Sequence, residues 1–562
     1  MNMIEAAKSQ IDSLVRAAQA SAVEKGILPA GAELKGTIEI PKDTKNGDYA
    51  CSYAMSAAKA MHMAPRKIAD ALAAELKLDG TWFRSVEVAG AGFLNFRLGD
   101  KWYGEVLKTI QDEGKDYGSV DEGKGRRIMV EFVSANPTGT MTIGNARGGV
   151  LGDAMASILE KAGWNVWREF YVNDAGNQVE LFARSVEARY IQLLKGEDAI
   201  AFPEDGYHGD DIREIAKLFY EKYGDKYLTM DEQTRRDDMR VFGIEYNIQK
   251  MERDLLRYGI TFDQWFRESS LHESGYVKET VELLEKQGYT YEKDGALWFK
   301  TTDLGAEKDE VLRRSNGFYT YFAVDMAYHR NKFLERGFDY VINVWGADHH
   351  GHAIRFGKSL PALGIQSDRL HFLLMQLVNL MRDGQTVRIS KRTGKAIALA
   401  DLLDEIPRDA CRFFFNAKPD THLDFDMDLA IRSDSENPVY YVQYAHARIC
   451  SLVAALAGEG HPVPDAASID AALLNGEAEH ELIKQLSLLP EEVRLAALNY
   501  DPSRINRYVT ELASRFHHFY TACRIKDAEP GVLEARLKLA DSVRAVIAVS
   551  LGIVGVSAPE KM

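Results

Sequence analysis

The chain has 562 residues, 46% of them hydrophobic and 27% charged, with a formal net charge of -15. That length calls for several domains rather than one core, and the composition is that of an ordinary globular protein. The acidic balance argues against a protein that grips nucleic acid through bulk positive charge, although a basic stripe on an acidic surface stays open. The four cysteines (Cys51, Cys411, Cys450 and Cys523) form no CxxC pair, so neither a zinc knuckle nor a redox motif is indicated, and their scatter fits a reducing compartment. The first residues lack the apolar core of a signal peptide. The uncharged run from Ala545 to Pro559 is shorter than the ~20 residues of a membrane span and reads as a buried helix end. A cytoplasmic protein with no membrane partner is expected.

In chain order, Ile4, Ile11, Leu14 and Val15 recur at helical spacing and predict an amphipathic helix over 1–24. A helical run over Tyr53–Leu76 and a strand-like stretch over Ser85–Leu98 complete a small α+β domain, taken as 1–120. The Gly/Lys-rich piece 121–127 is its linker. Ile128–Val133 then reads as a strand and 135–143 as a turn-rich loop. Gly144–Ala162 reads as a helix stopped by Gly163, and Asn165–Val172 as a second strand. Strand, loop, helix, strand is the unit of a parallel nucleotide-binding sheet. Residues 180–295 are charged and mostly helical, as suits an insertion. Tyr340–Trp345 and Phe372–Leu377 return as strands, closing a Rossmann-like α/β domain over 121–430. From 431 to 562 the chain reads as all-α, with Leu482, Leu486 and Leu489 on one stripe.

Three features carry chemistry. The loop after the first strand is rich in small residues and opens a helix, where free N–H groups and the positive dipole end suit phosphate; a plain Gly/Pro-rich turn is the alternative. The segment 388–395 packs Arg388, Lys391, Arg392 and Lys395 around Ser390 and Gly394. Such a loop suits the charge on departing pyrophosphate, against the alternative of a solvated surface loop. Several acids, Glu131 and Asp325 among them, sit in apolar surroundings and could receive a cation or form a salt bridge. Tyr321 and Asp325 are four apart and share a face if that segment is helical.

These segments resemble the class I aminoacyl-tRNA synthetases, and specifically the arginyl-tRNA synthetase family. Ser134-Ala-Asn-Pro-Thr-Gly139 is similar to the family lead-in, and Thr142-Ile143-Gly144-Asn145 to the His-x-Gly-His motif, with Thr142 and Asn145 in place of the two histidines. Threonine donates one hydrogen bond but cannot carry an imidazolium's charge. Arg388-Ile-Ser390-Lys391-Arg392 is similar to the Lys-Met-Ser-Lys-Ser motif, its Ser-Lys pair intact. The resemblance implies an arginine–tRNA ligase that makes arginyl-adenylate from L-arginine and ATP and transfers arginine to the 3′ end of its tRNA, with Mg²⁺ assisting and tRNA needed for the first step. Thr142, Gly144, Asn145 and Lys391 are the implied catalytic residues. ATP is implied to meet Thr142, Gly144, Asn145, Gly346, His349, Ser390, Lys391 and Arg392. Glu131 and Asn136 are implied to hold the amino-acid end of arginine, and Tyr321 and Asp325 its guanidinium.

Gly346–His352 offers three histidines after a strand, but with no fourth ligand a zinc site is not expected. Asn437–Arg448 interleaves tyrosines with cations and fits base stacking or a tyrosine-rich core, and the resemblance implies an anticodon-binding domain there. It also implies that the block 46–50 helps hold the tRNA elbow. A monomer is expected. The rival readings are a synthetase for another amino acid, such as cysteine, and a tRNA-binding paralogue without catalysis.

Overall fold

The computed structural model describes residues 2–387 and 397–562. Helix Met3–Glu24 opens the chain, capped by the Asn2 side chain, which accepts from the Ile4 and Glu5 amides. It buries Ile4, Ile11 and Val15 against helix Pro65–Glu75 and a four-stranded antiparallel sheet. The expected single helix over Tyr53–Leu76 is two, Tyr53–Met61 and Pro65–Glu75. His62 turns left-handed (φ 50°) between them, and a proline starts the second where its missing N–H costs nothing. The expected strand Ser85–Leu98 is a hairpin, Phe83–Ala89 and Phe93–Leu98, turned at Gly90 and Gly92, both with positive φ.

The central sheet has five strands: β1 (Arg127–Glu131), β2 (Asn165–Val172), β3 (Gln264–Arg267), β4 (Tyr340–Gly346) and β5 (Leu370–Met375). All pairs are parallel and the order is β5-β4-β1-β2-β3. Ile128, Met129 and Val130 are buried, as befits a parallel sheet covered on both faces. The chain leaves β1 towards β2 and returns later to β4 on the other side. A crevice therefore opens above the carboxyl ends of β1 and β4.

β1 ends two residues before the expected Val133. Val133 (φ 67°) and Ser134 (φ 43°) are consecutive left-handed residues, a conformation costly for a β-branched side chain. The loop then enters α1 (Ile143–Lys161), whose Gly149 and Gly152 face Val133 and Phe132. The run expected to be mostly helical from 180 to 295 is so, in α2 (Asn177–Lys195) and helices Asp210–Tyr223, Glu232–Arg257 and Tyr276–Lys286, with one interruption after Arg257. Gly259 (φ 77°) breaks it, and the aromatic Trp265 and Phe266 then add β3 to the sheet edge. A three-stranded antiparallel sheet over 290–313 leads to α3 (Tyr321–Arg330). The second expected strand, Phe372–Leu377, lies two residues earlier, as β5.

The C-terminal part is helical from α5 (Pro438–Gly458) to helix Val532–Ile553, with Leu482, Leu486 and Leu489 fully buried. No helix among the described residues is long and apolar enough to cross a membrane. Two junctions tie the parts together. Asp48 accepts from the Leu98 amide at 2.8 Å and pairs with Lys484 at 2.6 Å, while Tyr103 stacks on His480, centroids 4.1 Å apart. The block 46–50 thus joins the N-terminal sheet to the C-terminal helices. Arg412, fully buried, donates to the carbonyls of Val554, Tyr258 and Gly259 and pairs with Asp153 of α1.

Candidate active site

A cavity of about 1060 Å³ occupies the crevice above β1 and β4. Its lining includes Glu131, Asn136, Thr142, Asn145, Tyr321, Asp325, Gly346 and His349. Eight of the residues singled out in the sequence are therefore brought to one place from three separate segments. Gly144 lies behind them in the first turn of α1 and is not part of the wall. Ser390, Lys391 and Arg392 lie outside the described residues. The chain reappears beside the first motif, because Ala398 pairs with Thr142 and the Leu399 amide donates to the Met141 carbonyl at 3.0 Å.

Thr142 is the N-cap of α1. Its Oγ1 accepts from the Asn145 amide at 3.3 Å, and Asn145 Oδ1 accepts from the Thr142 amide at 2.9 Å and from its hydroxyl at 2.8 Å. The two residues standing for histidines thus form a reciprocal capping box. Asn145 Nδ2 is left as the donor of the pair. Arg147, fully buried one turn on, donates to the carbonyls of Gln376, Lys418 and Thr421 and fixes α1 against the end of β5.

Opposite lies the acidic wall. α3 is helical as the spacing required, so Tyr321 and Asp325 share a face; Tyr321 is exposed and Asp325 half-buried. His352, from α4 (His350–Ser359), meets Asp325 Oδ2 at 2.8 Å and packs near Trp345. Glu131 is buried at the end of β1; Ser134 Oγ donates to its Oε1 at 3.1 Å, and Lys332 pairs with its Oε2. Asn136 donates to Gln178 at 2.8 Å.

Sequence reading assigned no role to Tyr171, Glu268 or His352. The Tyr171 hydroxyl donates to Glu268 at 2.7 Å, and burial, then the Glu268 charge, pushes that phenol well above its usual range. Glu268 directly follows β3, within the stretch whose sequence predicts mostly helix, so no pattern marks it. Glu131, Asp211, Glu268, Asp325 and Asp348 line the cleft with carboxylates, which suits it to a cationic substrate.

Three family models tile the chain: "Arginyl tRNA synthetase N terminal domain" over 9–98, "tRNA synthetases class I (R), catalytic domain" over 106–435, and "DALR anticodon binding domain" over 442–562. The arginine–tRNA ligase of Acetivibrio thermocellus is 52% identical over 562 residues, all of both chains. The chain belongs to the arginyl-tRNA synthetase family. The arginine–tRNA ligase of Caldanaerobacter subterraneus subsp. tengcongensis is likewise 52% identical over the full length of both. The solved Thermus thermophilus arginyl-tRNA synthetase shares the fold, with a TM-score of 0.71, 22% identity and 99% and 100% of the two chains covered. A class I arginine–tRNA ligase therefore occupies this fold, and its catalytic part is the parallel sheet described above.

Proposed function

We propose that arginine binds with its guanidinium on Tyr321 and Asp325 and its amino-acid end on Glu131 and Asn136, while ATP lies along the N-terminal end of α1. The arginine carboxylate attacks the α-phosphate and pyrophosphate leaves. The terminal ribose 2′-hydroxyl of the cognate tRNA then attacks the adenylate carbonyl. No protein nucleophile is needed, and catalysis is positioning with charge stabilisation. The first turn of α1, with Thr142, Gly144 and Asn145, offers its dipole end to the phosphates. Gly346 and His349 border the adenosine, and Ser390, Lys391 and Arg392 meet the departing pyrophosphate. No cluster of three His, Cys, Asp or Glu side chains among the described residues forms a protein cage for a cation. Mg²⁺ would enter with ATP and supply charge neutralisation at its phosphates.

The observation that carries this reading is the placement of the Tyr321/Asp325 face across one cleft from Glu131 and the α1 terminus. Residues 1–120 are assigned to the tRNA body, 121–430 to chemistry and 431–562 to the anticodon, in a cytoplasmic monomer. Around the anticodon region, stacked Tyr440 and Tyr444 (6.1 Å) with Arg448 beside Tyr444 present an aromatic, cationic surface. The decisive experiment charges total tRNA with each of the twenty amino acids in the presence of ATP and Mg²⁺. Charging with arginine alone is expected. Retained tRNA binding without charging would overturn the catalytic reading.

A further inference from the structure

Below the cleft floor runs a chain of buried polar side chains. Lys332 follows α3 in a π-helical turn (Asn331–Glu335), and its side chain has no solvent exposure. An unpaired ammonium there would be very costly. Its Nζ lies 2.5 Å from Glu131 Oε2, donates to Asn343 Oδ1 at 3.2 Å and sits 4.0 Å from the centre of the Tyr328 ring. Asn343 is also the register partner of Glu131 across the β4–β1 ladder. One ammonium therefore bridges the two strands where their loops diverge.

The hydrogen-bond polarity is set along this chain. Lysine has donors only, so the Asn343 atom facing it must be the oxygen. Asn343 Nδ2 then donates to His329 Nε2 at 2.8 Å, which leaves the ring proton on Nδ1, donating to the Asp325 carbonyl at 2.9 Å. Burial, and next the Lys332 ammonium, hold His329 well below the usual histidine range. Asn343, His329 and Lys332 are each at most 1% exposed. Nothing in the chemistry proposed above uses any of the three.

We infer that Lys332 is a positioning residue of the arginine site: directly through Glu131, and through Asn343 and His329 to the Asp325 turn of α3, it fixes the spacing of the two carboxylates that receive the substrate. This rests on the assignment of Glu131 and Asp325 to arginine. Without Lys332, Glu131 would lose its cationic partner and Asn343 the donor that sets the orientation of its amide towards His329.

The test measures KM for arginine and for ATP in tRNA charging by the full chain, with a thermal melt of each variant. Lys332→Met is expected to raise the arginine KM about tenfold or more while the ATP KM stays within about twofold. Asn343→Asp keeps the acceptor for Lys332 but removes the donor to His329, with little change in volume. It is expected to raise the arginine KM by roughly three- to tenfold, and it serves if Lys332→Met fails to fold. An unchanged arginine KM in the folded variants, or equal rises in both KM values, overturns the inference and leaves Lys332 a purely structural residue. Asp325→Asn is the control. If it raises the arginine KM and the relay variants do not, the relay alone is wrong; if it does not, the substrate assignment is wrong and the inference falls with it.

Discussion

Asp325 carries the largest single expectation in the cleft. A carboxylate receiving a guanidinium makes charge-assisted hydrogen bonds, and losing the charge while keeping the shape costs about 2–3 kcal/mol, or roughly 30- to 150-fold in affinity. Asp325→Asn should raise the arginine KM by that order in steady-state charging and leave the ATP KM in place. Thr142 gives a second expectation. Its hydroxyl is committed to the capping box with Asn145, so Thr142→His replaces a working cap by a bulky ring. Pyrophosphate exchange should fall by about tenfold, the equivalent of about 1.4 kcal/mol. A strong rise would show instead that threonine is the costly choice. Thr142 and Asn145 could be singled out in the sequence by a motif and Tyr321 and Asp325 by their spacing, and the fold brings all four to one cleft. Their partners were not legible there. His352 reaches Asp325 from 27 residues away and Lys332 reaches Glu131 from 201, and such pairings follow only from the fold.

At the scale of elements, α1 is decided by glycine. A Cβ on Gly152 would fall 2.2 Å from the Phe132 ring, the residue that carries β1 into its left-handed turn. Gly152→Ala should lower stability by about 1–3 kcal/mol in a urea melt through overpacking, with a loss of charging activity as the loop shifts. The helical period and the flanking βαβ unit made α1 readable to within a residue. β3 was not readable, since four residues at a sheet edge carry too little pattern to stand out between long helices. The breaks at His62 and at Gly90–Gly92 were missed because each interrupts an apolar pattern that otherwise runs on.

In the whole molecule, the order N-terminal unit, sheet, helical unit was visible from composition shifts, whereas the way the outer two touch was not. Asp48 and Lys484 are 436 positions apart and both partly shielded, at 17% and 28% side-chain exposure. Because the two outer units are assigned to one tRNA, loosening the clasp should act on tRNA first. Lys484→Met is expected to raise the tRNA KM by roughly three- to tenfold, with arginine and ATP values within about twofold, in line with a partly exposed ion pair worth about 1 kcal/mol. Equal effects on all three substrates would place the clasp in general stability instead.

The grip of Arg412 also bears on how the molecule is made. Its guanidinium is shared among Asp153, the 258–259 bend and the Val554 carbonyl. A nascent chain emerging from the ribosome exposes the first two of these long before the third. Until residue 554 has cleared the exit tunnel, one donor of a buried cation has no acceptor, so the sheet can form early but cannot settle into its final packing. The step that completes this packing is then the arrival of the Val554 carbonyl behind helix Val532–Ile553, not closure of the nucleotide-binding sheet.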